Sequence, residues 1–509
     1  MTDQFQIKRA LISVYHKEGL DAILEELQAL DAELISTGGT YDYITQSGYK
    51  AKKVEDLTSY PSILGGRVKT LHPKIFGGIL AKKDEQNDRQ EMENYEIPDV
   101  DLVIVDLYPF EATLKNTSKE EDIIEKIDIG GISLIRAGAK NFRYTLTISS
   151  MNQYDELLSI LKEKKGAASL TERKRFAAQA FATSSHYDTA IFNYFNAETD
   201  IKQFRYSRKE YHPLRYGENP HQEGAFYGNL EDVFTQLHGK AISYNNLLDL
   251  DAAIRLIQDF EEESTFAILK HNNACGVATR PTLAEAWKDA LAGDPVSAFG
   301  GILISNMVID EETASEINKL FFEIILAPGY DDQAFEMLKK KKKRVILKKN
   351  NYRLASKQFR SLLNGIVEQD NDTKTETAEN FQVVTEQTPT PEQTEDLIFA
   401  NKVVKHSKSN AIVLAKNKQL LASGIGQTSR VDALKQAIEK AKQFNHNLQG
   451  AVMASDAFFP FADSVEIAKN AGITAIVQPG GSIRDQESID YCNENGLAMV
   501  FTGIRHFKH

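Results

Sequence analysis

The chain has 509 residues, 42% hydrophobic and 26% charged, too long for one ordinary core and long enough for several domains of roughly 150 residues each. Sixty Lys and Arg stand against 72 Asp and Glu, and the net charge of -12 argues against non-specific binding to nucleic acid or an acidic membrane. Cys275 and Cys492 are the only cysteines and have no metal-type spacing, so neither a disulfide framework nor a structural zinc site is expected. The stretch Met1 to Arg9 is polar, and no apolar run reaches the roughly 18 to 20 residues that span a bilayer. A reduced, cytoplasmic protein is expected, with no membrane and no nucleic-acid partner.

In chain order, Ala10 to Val14 reads as a short apolar strand. Leu20, Ile23, Leu24, Leu27 and Leu30 follow on one helical face, and Glu33 to Ser36 returns as a strand. Asp101 to Asp106 is another buried strand. Ser118 and Glu121 form a capping-box pattern before an apolar helix. This alternation predicts parallel strands with crossover helices. From Asn152 to Asn196 the pattern is mostly helical, and polar residues from Thr199 to Tyr206 mark a boundary.

A larger α/β region follows, with strands at Phe266 to Leu269, Ala411 to Ala415, Ala451 to Ala454, Ile473 to Val477 and Leu497 to Phe501. Thr282 and Glu285 repeat the capping box, and Gly293 is placed to end that helix. The blocks Asp294 to Gly301 and Ser455 to Phe461 share a layout that hints at two related subdomains. Lys339 to Arg344 reads as a solvated helix end, and Glu368 to Glu395 as an exposed connection.

Three strings in the first region point to an anionic ligand. Ser36-Thr37-Gly38-Gly39-Thr40 sits at a strand-to-helix turn, where backbone N–H groups approach a phosphate; a plain tight turn reads the same way. Gly65 to Pro73 places Arg67, Lys69 and Thr70 beside a flexible backbone. Asp128-Ile129-Gly130-Gly131 opens a helix through Lys140, with Ser133, Arg136 and Lys140 on one face. Tyr108 follows the end of a buried strand, where open parallel sheets bind ligands, so Tyr108, Asp128 and Lys140 are expected to converge with Lys69.

GGRVKTLHPKIFGGILA (Gly65 to Ala81), LYPF (Leu107 to Phe110) and IDIGGISLIRAGAKN (Ile127 to Asn141) resemble the inosine monophosphate cyclohydrolase domain of the bifunctional purine-biosynthesis family. The resemblance implies a methylglyoxal-synthase-like fold. It implies that Ser13, Lys17, Ser36, Thr37, Gly38, Gly39, Thr40, Arg67, Lys69 and Thr70 hold the ribonucleotide, and that Lys69, Tyr108, Asp128 and Lys140 serve ring closure. Two positions depart from the family pattern: Tyr15-His16 stands in place of Ser-Asp, and Phe76 in place of His.

In the second region, Lys270-His271 closes an apolar strand, a position suited to acid/base work. Gly424 to Arg430 puts two glycines and an arginine before a helix. With them, LRYGENPHQ, ILKHNNACGVA, DPVSAFGGIL, KSNAIVLA, GIGQTSR, SDAFFPF, QPGGSIRD and RHFKH resemble, in order, the aminoimidazole carboxamide ribonucleotide transformylase domain of the same family. The resemblance implies two cytidine-deaminase-like subdomains, His271 as base, Lys270 beside the leaving nitrogen, and Asn410 positioning the formyl group or amine. It implies Arg215, Tyr216, Phe299, Arg430, Phe458 and Arg505 as substrate contacts, and Glu323, Phe458, Pro460, Gly481 and Ser482 as folate contacts. Ala462 stands where the family has Arg.

The expected whole is therefore a cyclohydrolase domain over 1–198, with its core at about 1–150, and a transformylase domain over 199–509. It implies use of 10-formyltetrahydrofolate with no metal, small-molecule substrates (the aminoimidazole carboxamide ribonucleotide and its formyl derivative), and a homodimer with transformylase sites at the subunit interface. The intact GGRVKT, LYPF and IDIGG strings argue against a degraded cyclohydrolase half, and a nucleotide- or folate-binding regulator without catalysis predicts replacement of Lys270, His271, Tyr108 or Lys140; all four are present.

Overall fold

In the strand Arg9–Val14, Ala10, Ile12 and Val14 face one hydrophobic core and Leu11 the other, so an apolar run interrupted only by Ser13 is buried on both sides. This strand is the middle member of a five-stranded sheet. The order is Lys52–Lys53, Glu33–Ser36, Arg9–Val14, Leu102–Asp106, Leu146–Ile148, and every pairing is parallel. Helix Leu20–Ala29 covers one face with Leu20, Ile23, Leu24 and Leu27. Helix Gly130–Lys140 covers the other with Leu134 and Ile135, leaving Ser133, Arg136 and Lys140 on its outer side. These are the expected crossover units. The computed structural model describes residues 4–261 and 263–509, so the first three residues of the polar Met1 to Arg9 stretch lie outside it. The chain divides into two units, Met1–Lys209 and Glu210–His509.

Two local expectations in the first unit need correction. Helix Glu120–Ile124 starts after Lys119 and has no side-chain cap, so Ser118 falls one residue too early to form a capping box with Glu121. The stretch from Asn152 holds helix Tyr154–Glu163 and the 30-residue helix Leu170–Thr199, but strand Ala167–Ser169 separates them and pairs antiparallel with Gln4–Gln6.

The second unit is built on one twelve-stranded sheet. Its first half runs Phe234–His238, Val345–Lys349, Ile324–Ala327, Ile302–Ser305, Thr265–Lys270 and Asn273–Thr279 across the sheet. The second half continues as Gln419–Gly424, Ile412–Lys416, Ala451–Ser455, Ile473–Gln478, Ala498–Phe501 and Gln382–Val383. Each half is, in chain order, an edge strand, a helix, a hairpin, and three helix–strand units. The halves meet at Ala278 and Gln419. The hairpins match residue for residue. In one, Ile268 faces Gly276 and Leu269 faces Ala274; in the other, Leu414 faces Ala422 and Ala415 faces Leu420, with the same one-residue bulge.

The duplicated subdomains are real, but the two blocks that hinted at them are not counterparts. Asp294 to Gly301 precedes strand Ile302–Ser305, whereas Ser455 to Phe461 follows the equivalent strand Ala451–Ser455. In the basic run, Lys340 to Lys343 are exposed as expected, but Arg344 is fully buried over the Phe322 ring and donates to the carbonyls of Asn318 and Leu320. Glu368 to Glu395 is mostly exposed, yet it adds the edge strand Gln382–Val383 and buries Glu376.

Candidate active sites

In the first unit the chain places two strands on one side of Arg9–Val14 and two on the other, so the strand order reverses between Val14 and Asp106. A crevice forms beyond the strand ends at such a reversal. Ser13 is part-buried in the strand, opposite Val105. The Lys17 ammonium donates to the carbonyls of Val14 and Tyr15 and reaches the Thr40 hydroxyl at 3.4 Å. Burial lowers the Lys17 pKa, against the pull of Asp106 and Glu18.

The turn's side chains are already engaged. The Ser36 hydroxyl donates to the Ile12 carbonyl at 2.8 Å, Thr37 to Glu55 at 3.2 Å, and Thr40 to the Val14 carbonyl at 2.9 Å. What the turn offers a ligand is backbone. Gly38 has a left-handed φ of 55°, and a methyl group there would lie 2.7 Å from the Lys69 ammonium. A methyl group on Gly39 would meet nothing within 4 Å. Lys69 therefore points onto the turn. Thr70 Oγ1 lies close to Gly130, and Arg67 is exposed and pairs with Glu125 at 3.5 Å.

Asp128 sits at the start of helix Gly130–Lys140, where its Oδ1 accepts the Gly131 N–H at 2.6 Å. Burial raises its carboxyl pKa, opposed by the N–H groups of Gly131 and Tyr108 and by Lys69. Burial also raises the Tyr108 pKa, with Asp128, Glu125 and Tyr15 adding to it, so Tyr108 is held as a neutral proton donor near neutral pH. Lys69, Tyr108 and Asp128 thus share one site. Lys140 ends the same helix, about 15 Å of helical rise from its first residue Gly130, and no contact among the described residues joins it to the other three.

In the second unit, His271 and Asn272 form the two-residue turn of the first hairpin, both left-handed at φ 50° and 65°. The Asn272 N–H donates to Asp249 at 2.6 Å, which fixes the turn. Burial raises the Asp249 pKa, against the Asn272 N–H and His271, and Glu323 adds to the rise. Glu323 accepts from Asn246 at 2.9 Å on the same helix, so it belongs to this cluster. The Lys270 ammonium donates to the Phe299 carbonyl at 2.8 Å. His271 and Phe299 are exposed.

The other half supplies a second cluster. Arg430 donates to Asn410 Oδ1 at 3.0 Å, to Asp456 at 2.7 Å and to the Phe458 carbonyl at 3.2 Å. Asn410 in turn donates to the Gln427 carbonyl at 3.0 Å, so its amide has one fixed orientation. The clusters meet where the Lys408 N–H donates to Asn273 Oδ1 at 3.0 Å. Arg215 is exposed beside the Tyr216 ring, and its loop is tied to the Asp249 helix by Asn245 donating to the Glu218 carbonyl. Arg505 is exposed over Phe507, and Pro460 is exposed. The N–H groups of Gly481 and Ser482 already donate to Asp485, and no contact among the described residues joins them to Lys270 or His271.

Tyr187, Asp249, Asp456 and His506 support these sites and carry no local signal of their own in the sequence. Asp456 and His506 lie inside strings that mark the family, whereas Tyr187 sits in a helix with no chemical motif.

The hairpin's counterpart, Lys416-Asn417-Lys418, has the same left-handed pair, and Asp396 accepts the N–H groups of Asn417 and Lys418 as Asp249 accepts that of Asn272. A cavity of about 750 Å³ opens there, and none of the expected site residues lines it. Its two cations are paired, Lys418 with Glu263 and Glu395 and Arg280 with Asp289. Among the described residues, no group of His, Cys, Asp and Glu is arranged to hold a metal ion, and no helix is long and apolar enough to cross a membrane.

A parallel sheet with a cation-lined crevice and a duplicated sheet with a Lys-His hairpin define an α/β enzyme with two candidate sites for anionic substrates. The model of the AICARFT/IMPCHase bienzyme matches residues 138–440, and that of the MGS-like domain residues 19–133. The bifunctional purine biosynthesis protein PurH of Bacteroides thetaiotaomicron is 64% identical over 509 residues, covering 100% of both chains. PurH of Aquifex aeolicus is 48% identical over 510 residues, 98% of this chain and 100% of its own. The crystal structure of ForH overlays with a TM-score of 0.34 at 31% identity, over 37% of this chain and 99% of its own. The chain belongs to the AICARFT/IMPCHase bienzyme family. It carries out formyl transfer and cyclohydrolysis, the last two steps of inosine monophosphate biosynthesis, with a folate-type co-substrate.

Proposed function

We propose that Lys270, His271 and Asn410 perform formyl transfer from 10-formyltetrahydrofolate, and that Lys69, Tyr108, Asp128 and Lys140 perform ring closure. The acceptor amine is conjugated to its ring and carboxamide and so is a poor nucleophile. The exposed imidazole of His271 takes its proton as the nitrogen attacks the formyl carbon, and the departing folate nitrogen, stabilised by the Lys270 ammonium, takes up a proton in return, so the proton count is restored as tetrahydrofolate leaves. Asn410, locked by Arg430 and Gln427, positions the group in transfer. Arg215, Tyr216, Arg430 and Arg505 hold the nucleotide, while Phe299, Phe458 and Pro460 offer apolar contacts. Glu323 faces the folate, and Gly481 and Ser482 border that side.

In the first unit the carboxamide nitrogen attacks the new formyl carbon and gives up a proton to the formyl oxygen, which becomes a hydroxyl, and water then leaves. Tyr108 gives its proton to the hydroxyl that departs as water, and the formamide N–H proton lost as the C=N bond forms restores the phenol. Lys69 and the Gly38–Gly39 backbone offset the phosphate charge. Lys140 is the fourth member of this set, at the far end of the helix that Asp128 precedes. The functional halves divide within the irregular segment 200–210. The enzyme acts in the cytoplasm as a homodimer.

The observation that carries the reading is the joining of the Lys270-His271 turn to the Asn410–Arg430 cluster through Asn273 and Lys408. His271→Ala is expected to cut tetrahydrofolate formation about 100-fold or more, while ring closure of supplied formylated ribonucleotide stays within about twofold of wild type. Equal loss of both activities would refute the assignment.

A further inference from the structure

Ring closure as set out above gives Lys126 no part, yet its side chain lies against two aromatic rings of the first site. Its ammonium stands 5.4 Å from the centroid of the Tyr108 ring and 5.4 Å from that of Tyr15. The two rings meet edge to face at 5.5 Å and 88°. Tyr15 is one of the positions where this chain departs from its family's pattern, and His16 beside it is fixed by a 2.6 Å contact to Asp106. The backbone of Lys126 is fixed as well. The Tyr187 hydroxyl, 59 or more residues away in the chain, donates to the Lys126 carbonyl at 2.7 Å and accepts the Asp128 N–H at 2.9 Å. One buried hydroxyl thus holds Lys126 and Asp128 in register with each other.

We infer that Lys126 is a positioning residue for ring closure: a cation held against the two tyrosine faces that fixes the Tyr108 ring and stabilises the phenolate left when Tyr108 gives up its proton. A cation over an aromatic face is attracted by the ring quadrupole, and the attraction grows when the oxygen carries negative charge. The other groups around Tyr108 pull the opposite way or are committed elsewhere. Asp128, Glu125 and Tyr15 all raise its pKa, Lys69 lies against Gly38, Arg67 pairs with Glu125, and His16 pairs with Asp106. The Tyr187 hydroxyl is engaged by the loop backbone. Among the described residues, Lys126 is the cation that stands over the ring.

This inference rests on the assignment of Tyr108 to ring closure, so the test includes Tyr108→Phe. With Lys126→Met, kcat for ring closure of supplied formylated ribonucleotide should fall about three- to tenfold with KM nearly unchanged. Removing the cation makes the phenol a weaker acid, so the alkaline limb of the kcat profile should move to higher pH by about 0.5 to 1. Lys126→Arg should restore both rate and profile, and formyl transfer should be unaffected in every variant. If Tyr108→Phe abolishes ring closure while Lys126→Met leaves rate and pH profile unchanged, or if Lys126→Arg is as impaired as Lys126→Met, the inference fails. If Tyr108→Phe itself closes the ring normally, the assignment of Tyr108 fails instead.

Discussion

Gly39 separates a residue's role in the fold from its role in binding. A methyl group there has no neighbour within 4 Å, and the backbone needs no left-handed conformation, so Gly39→Ala should leave thermal stability within about 0.5 kcal/mol of wild type. The same open space is where a phosphate would approach the Gly38–Gly39 backbone beside Lys69. Gly39→Ala should therefore raise KM for the formylated ribonucleotide about tenfold or more, with little change in kcat. A stable variant with unaltered KM would place the phosphate elsewhere. Gly131 is different: a methyl group there would lie 2.6 Å from Asp128 Oδ2, so this glycine is required by the carboxylate itself.

Among the elements, the C-terminal tail does more than finish the chain. The His506 N–H donates to the Asp456 carbonyl, beneath the Arg430 pair. Lys508 and Ser409 bond each other, and the Lys508 ammonium donates to the His406 carbonyl. The His506 ring lies buried between Asp372 at 2.6 Å and Glu376 at 3.1 Å. Burial alone would lower its pKa, but the bonds to Asp372 and Glu376 prevail and raise it to about 9. A folded pKa above the unfolded value of about 6.5 means that the stabilisation is complete below pH 6.5 and disappears as pH rises through 9. Its size is about 3 kcal/mol. Wild-type stability, measured by urea unfolding, should fall between pH 6.5 and 9. His506→Gln should be less stable at pH 6.5 and flat across that window. Parallel curves would show that the clasp is not protonated. Strands such as Glu33 to Ser36, the helix face Leu20 to Leu27, and the Thr282–Glu285 cap were legible because their signals are local. The His506 clasp was not, because its partners lie more than 100 residues away, in a stretch whose polarity reads only as solvent exposure. Tyr187 was hidden because its partners are backbone groups 59 and 61 residues away, which leave no side-chain pattern around it.

At the scale of the molecule, the duplicated subdomain presents one hairpin proposed here for formyl transfer and one counterpart to which no role in the reaction is given. The geometry is shared down to the bulge and the supporting aspartate, and the side chains decide the outcome. His271 is exposed at one turn, while at the other Lys418 is held by Glu263 and Glu395. The family strings located the first hairpin, but nothing in composition or periodicity distinguished it from the second. Lys140 marks another limit, since helical spacing put it on one face with Ser133 and Arg136, and yet its helix carries it away from Asp128, with which it was expected to converge. Formyl transfer to a weak amine has little driving force, and ring closure with loss of water draws it forward through the shared intermediate. The account therefore requires two chemically independent sites. The most direct measurement mixes His271→Ala protein with Tyr108→Phe protein and follows inosine monophosphate from the unformylated ribonucleotide and 10-formyltetrahydrofolate. Each variant alone should stall, the first without tetrahydrofolate and the second with formylated intermediate accumulating, and the mixture should recover product. A mixture as inactive as its components, or a single variant that loses both steps, would contradict the account.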